Sequence, residues 1–148
     1  MASEGDCGTA RCSLSKTLEV VGERWTFLVL REALADTTRF QDFRATLGIA
    51  SDVLTARLAT LVEGGVMVRQ SYREPGQRTR QSYHLTESGR QLSLIVGALQ
   101  QWGDEHLPGP TAPSVTPCTA AGRPVSVRFI DDRGEVLPED EVRLARMS

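Results

Sequence analysis

The chain has 148 residues, of which 40% are hydrophobic and 24% charged, and a formal net charge of −2 at pH 7. That length suits one ordinary domain, or a small domain with an appendage, and the composition is that of a soluble globular protein. No run of about 18 apolar residues exists to make a transmembrane helix, and three cysteines (Cys7, Cys12, Cys118) are too few for a disulfide framework or a four-thiolate zinc site.

In chain order, residues 1–12 form a charged N-terminal arm without the apolar stretch of a secretory signal, so a cytoplasmic location is the expectation. Residues 13–35 carry Leu14, Leu18 and Val21, then Trp25, Leu28 and Val29, at helical spacing, with a break expected at Gly22. Asp36-Thr37-Thr38 is a turn signal. Thr38-Arg39-Phe40-Gln41 fits a capping box for a short helix that places Phe40, Phe43 and Leu47 on one face and ends at Gly48 in the left-handed conformation. Ser51 is a good N-cap for the next helix, whose apolar face is Val53, Leu54, Leu58, Leu61 and Val62. Gly64-Gly65 stops it.

Alternation then signals a half-buried strand, with Val66, Val68 and Tyr72 inward and Met67, Arg69 and Ser71 outward. Glu74-Pro75-Gly76-Gln77 is a turn. Tyr83 and Leu85 face inward on the returning strand, and Thr86 caps a long helix striped by Leu92, Ile95, Val96, Leu99 and Trp102. Residues 108–117 hold four of the seven prolines and make a stiff linker. In the extension 118–148, Val125, Val127 and Phe129 alternate before the turn Asp131-Asp132-Arg133-Gly134, which predicts a small hairpin.

The predicted class is α+β and mostly helical: a winged helix-turn-helix over 13–107, with flanking helices and a small C-terminal extension. Charge agrees with this order. Residues 37–90 hold eight Arg against five acids, or +3, inside an otherwise acidic chain. A basic middle suggests a local face for a polyanion.

Cys12-Ser13-Leu14, Gly22-Glu23-Arg24-Trp25-Thr26 and Leu30-Arg31-Glu32 resemble the start of the HxlR-type winged-helix transcription factors. Arg39-Phe40 with Phe43, Val53-Leu54-Thr55-Ala56-Arg57-Leu58 and Glu63-Gly64-Gly65-Val66 continue the resemblance. Tyr83-His84-Leu85-Thr86-Glu87-Ser88-Gly89 and Trp102-Gly103 complete it over roughly residues 11–107. The resemblance implies a dimeric bacterial DNA-binding regulator. Many such proteins use a cysteine just before the first helix to sense electrophiles or oxidants. Some carry a cysteine-rich C-terminal extension, of which this chain has only Cys118.

A recognition helix enters the major groove by its N-terminal half, so Ser51, Asp52, Thr55, Ala56 and Arg57 are the candidate base readers. Arg57 can fork onto guanine and Ala56 can touch a thymine methyl. Asp52 departs from the longer polar or basic residue usual in the family; it repels phosphate but can accept from cytosine N4. Arg73, Arg78, Thr79 and Arg80 are the candidate phosphate or minor-groove contacts of the wing. Arg39, at a helix N-terminus, is a further phosphate candidate, with a salt bridge to Asp42 as the alternative. Four phosphate contacts per protomer favour a homodimer, with a log–log salt slope near about −7 and a palindromic operator in double-stranded DNA.

The dimer seam is expected at Leu92, Ile95, Val96, Leu99 and Trp102, joined by Leu14 and Leu18. Closure of the protomer's own core is the alternative. Cys12, beside Arg11 and Lys16 at a helix start, is the candidate sensor thiol, with Cys7 as its resolving partner. The expected function is therefore a sequence-specific, repressor-type regulator switched by modification of Cys12. A regulator answering to a small-molecule effector, or a protein-interaction module, are the alternatives. No cofactor, metal, membrane partner or enzymatic activity is expected: neither His84 nor His106 has a nucleophile partner, and no hydrolase, P-loop or zinc-protease motif occurs.

Overall fold

The computed structural model describes residues 12–109 and 115–146. Helices α1 (Ser13–Val21), α2 (Arg24–Leu34), α3 (Phe40–Leu47) and α4 (Ser51–Glu63) lead into strands β1 (Met67–Tyr72) and β2 (Arg80–Leu85). Helices α5 (Glu87–Gln91) and α6 (Ser93–His106) follow, then β3 (Phe129–Ile130), β4 (Val136–Leu137) and a 3₁₀ turn at Glu139–Glu141. The chain forms two compact units, Met1–Val96 and Gly97–Ser148, with α6 running through the boundary. The division falls inside α6 rather than in the proline-rich 108–117 stretch. The reason is hydrogen bonding: Gln100 donates to the Val115 carbonyl at 2.6 Å, and Gln101 exchanges two bonds with the Val127 backbone.

In the first unit, the predicted break at Gly22 separates α1 from α2, and Gly48 ends α3 at φ +61°. A residue with a Cβ is disfavoured there, so the tight α3–α4 connection depends on glycine. Phe43, Leu30, Leu54, Leu58, Leu61, Met67, Val21, Val29 and Thr26 are fully buried. They come from α1 to α4 and β1, so this core is what fixes α3 and α4 against each other.

Four local expectations need correction. The capping box at Thr38 does not form; Arg39 is the N-cap of α3 and makes no side-chain cap bond. Thr38 instead gives its carbonyl to the Tyr83 amide at 2.7 Å, while Arg39 bridges Ser82. The backbone before α3 is thus recruited as a short extra strand beside β2. Similarly, the N-cap of α4 is Ala50, and Ser51 is its first helical residue. Around β1 the alternation does not set burial: Val66, just before the strand, and Met67 are both buried, and Val68 is exposed. Two-sided burial at the point where the strand leaves the core overrides the alternation. Finally, the single long helix after Thr86 is two, α5 and α6, joined at Leu92.

Strands β1 and β2 pair antiparallel with Met67 opposite Leu85 and Tyr72 opposite Arg80. In the second unit the predicted hairpin is shorter than its alternating pattern. Only Phe129–Ile130 and Val136–Leu137 pair, because Val127 is held by Gln101 instead. The turn is as expected: the Asp131 carboxylate accepts from the amides of Arg133 and Glu135, both at 2.9 Å.

Candidate nucleic-acid interface

Helix α4 buries Leu54, Leu58 and Leu61 and thereby turns Ser51, Asp52, Thr55 and Ala56 to the surface. The Thr55 hydroxyl donates to the Ser51 carbonyl at 2.8 Å, which leaves its lone pairs outward as acceptors. Arg57 is placed differently. Its side chain is 22% exposed, its Nη1 lies 2.5 Å from the Glu23 carboxylate, and its Nε is buried without a partner. In this conformation the fork faces Glu23, the N-cap of α2, and ties α4 to the start of α2. A guanine contact by Arg57 therefore requires that this pair open.

The wing loop runs from residue 73 to 79 between the paired strands. The Gln77 amide donates to the Glu74 carbonyl and Arg73 Nε donates to the Gln77 carbonyl at 2.8 Å, so the turn is closed by its own chain. Gly76 sits at φ +76° with open space around it. Arg78, Thr79 and Arg80 are exposed, and among the described residues neither arginine enters an ion pair. Unlike Arg73, neither side chain is tied to the turn by a hydrogen bond among the described residues.

Arg39 is brought to the wing rather than to Asp42. Its Nη1 donates to Glu74 at 2.8 Å, and its guanidinium lies over the Tyr72 ring at 4.7 Å. The pair is about half exposed, so it contributes little to stability, of order 0.2–1 kcal/mol. Its position matters more, because a phosphate at Arg39 must compete with Glu74. Glu74→Gln is expected to tighten DNA binding about twofold to fivefold, and to do so less in an Arg39→Ala background. A double-mutant cycle by fluorescence anisotropy reads this. An equal gain in both backgrounds would make Glu74 a plain repulsive charge instead.

Glu23, Tyr72 and Glu74 are site neighbours that sequence reasoning does not reach. Arg39 and Glu74 are 35 residues apart and carry no local pairing signal. Cys12 is exposed and is the N-cap of α1, with no side-chain cap bond; its carbonyl accepts from the Lys16 amide at 3.1 Å. Cys7 and Arg11 lie outside the described residues. Of the expected seam, Leu14, Leu18, Ile95, Leu99 and Trp102 are exposed, whereas Leu92 and Val96 are half-buried against the core of the first unit. Those two are therefore spent largely on the protomer itself.

A helical core from α1 to α4 that leaves the α4 N-terminus exposed, with a hairpin whose tip is basic, defines a winged helix-turn-helix protein. The family model of the HxlR-like helix-turn-helix matches residues 20–110, and the chain belongs to that family. A regulator of Mycobacterium tuberculosis (strain ATCC 25618 / H37Rv), described as an uncharacterized HTH-type transcriptional regulator, is 45% identical over 103 residues. The match takes in 70% of this chain and spans 64% of that relative's length. Among solved structures, PA1607, a candidate transcription factor, is similar with a TM-score of 0.75 and 34% identity, covering 93% of this chain and 96% of that one. The redox regulator HypR in its reduced form is similar with a TM-score of 0.56 and 30% identity, over 64% of this chain and 92% of HypR. PA1607 is matched through the extension as well as the winged domain; HypR is matched over a shorter part.

The relatives are named as regulators, not enzymes. Among the described residues no helix is long and apolar enough to cross a membrane.

Proposed function

We propose that this chain is a DNA-binding transcriptional regulator that reads a palindromic site as a homodimer and represses by occupying it. The observation that carries the reading is an exposed α4 N-terminus together with a wing in the same unit whose Arg78 and Arg80 are exposed and enter no ion pair among the described residues. Base edges are offered to Ser51, Asp52, Thr55 and Ala56, with Arg57 joining when it leaves Glu23. Phosphates are offered to Arg39, Arg78, Thr79 and Arg80, with Arg73 holding the turn. A protein-contact wing calls for an apolar tip, and the exposed tip here is Gly76-Gln77-Arg78-Thr79.

The exposed Leu14, Leu18, Ile95 and Leu99 support a second copy as the cover of α1 and of α6 up to Leu99, whereas Trp102, expected in the same seam, lines a cavity with the chain around β3 instead. Cys12 supports a thiol switch by its exposure and its place at the start of α1, and HypR is a redox regulator of similar fold. Thiolate attack on an oxidant or electrophile there alters the N-cap of α1, two residues before Leu14 of the proposed seam.

The test is anisotropy with duplex from immediately upstream of the gene, at fixed salt, for reduced and oxidant-treated protein. Tight binding that oxidation abolishes in the wild type, but not in Cys12→Ser, is the expected result. Tight binding untouched by oxidant would remove the thiol switch. Equal binding to random duplex would remove the sequence-specific reading.

A further inference from the structure

The second unit contains a cavity of about 530 Å³, lined on one side by α6 and on the other by the chain around β3. Its volume falls in the range of small-molecule sites. Two of its walls are large aromatic rings left well exposed, Trp102 at 58% and Phe129 at 53%. Trp102 is not loose. Its ring stacks on His106, with centroids 5.1 Å apart and planes 16° from parallel. His106 Nδ1 lies 3.1 Å from the Trp102 carbonyl, which can only accept, so Nδ1 carries a proton and anchors the imidazole. The result is a stacked pair of rings that both line the cavity.

Charge then selects among aromatic ligands. Glu105 and Glu139 line the cavity and Arg128 is its one lining guanidinium. Arg128 is already engaged: it donates to the Val127 carbonyl at 3.0 Å and meets Glu139 at 3.6 Å. Glu139 shares that pair, and Glu105 enters no ion pair among the described residues, so the lining keeps one unbalanced carboxylate. An anionic ligand meets repulsion here, a neutral one gains only stacking, and a cation gains stacking, cation–π attraction to Trp102 and a free carboxylate.

We propose that this cavity is a binding site for a flat aromatic cation, stacked on Trp102 and Phe129 beside the carboxylates of Glu105 and Glu139, with Glu105 as its counter-charge. Such a compound is the small-molecule effector of the protein. Binding itself stands apart from the regulator reading; only its effect on DNA occupancy rests on that reading.

The test is isothermal titration calorimetry on the full chain without DNA, so that a failure here is distinct from a failure of DNA recognition. Three probes of similar size are compared at about pH 8: N-methylquinolinium, neutral 2-methylquinoline and the anion 2-naphthoate. The cation is expected to bind at one site per chain, roughly tenfold tighter than the neutral probe and tighter still than the anion. In Glu105→Gln/Glu139→Gln, with circular dichroism confirming the native fold, cation and neutral probe are expected to converge to within about twofold. A cation preference that survives the double substitution overturns the assignment to these carboxylates. Equal binding of cation and neutral probe, or a preference for the anion, overturns the ligand class. Absence of heat with all three, in a sample that light scattering shows to be dimeric, would mean that a second copy fills the cavity, and overturns the site.

Discussion

Replacing Arg78 and Arg80 together by alanine is expected to weaken DNA binding about 100-fold at physiological salt and to flatten its salt dependence. The derivation is by counting. Each phosphate neutralised by a cation contributes about 0.9 to the log–log slope of affinity against salt. Two arginines per protomer are four in the proposed homodimer, so the slope should fall from about −7 to about −4. Because both side chains are exposed and unpaired among the described residues, the melting temperature should stay within a degree or two. That combination separates a phosphate contact from a damaged fold. Arg73→Ala should behave differently, since its Nε closes the wing turn through Gln77. It should lose less affinity and keep the slope nearer that of the wild type. Unchanged affinity and slope in the double variant would exclude the wing from the interface and leave α4 alone to bind.

The same wing shows what the sequence makes legible. Element order, the break at Gly22, the left-handed Gly48, the turn around Gly76 and the core face of α4 all follow from local signals, namely helical spacing, glycine and alternation. The signals failed where long-range contacts compete for the same groups. Thr38 had the chemistry of a cap, but its carbonyl and the Arg39 backbone went to β2. Arg57 keeps its place on the candidate reading helix, but no local signal announces its ion pair with Glu23, the N-cap of α2. Val68 had the phase of an inward residue, but the strand had left the core by then. In each case the competing partner lies outside the window in which periodicity operates. The extension shows the same limit: its turn at Asp131 was local and legible, whereas the length of its strands was set by Gln101 on α6.

Gly89 illustrates this coupling, and its replacement should have the largest effect on stability. The glycine is in the first turn of α5, where its amide donates to the Thr86 hydroxyl at 3.1 Å. Thr86 in turn binds the chain that enters β1: its amide donates to the Val66 carbonyl at 3.0 Å, and its hydroxyl reaches the Gly65 carbonyl at 2.6 Å. These bonds draw α5 so close that a Cβ on residue 89 would stand 2.1 Å from the Val66 carbonyl oxygen. That oxygen belongs to backbone, and its neighbours Val66 and Met67 are buried at 6% and 1% exposure, so it has little room to retreat. Gly89→Ala is expected to cost about 3 kcal/mol and to lower the melting temperature by about 10 °C or more. Gly76→Ala is the control. Its φ of +76° is unfavourable for a side chain but nothing crowds it, so it should cost only about 1 kcal/mol. Thermal unfolding followed by circular dichroism compares the two. Gly89→Ala should also loosen the start of α6, where Leu92 and Val96 hold to the core, and so weaken self-association in sedimentation below its own melting point. Should Gly89→Ala prove no more costly than Gly76→Ala, the contact with Val66 yields easily, and α5 is not the rigid link from the wing to α6 that these bonds describe.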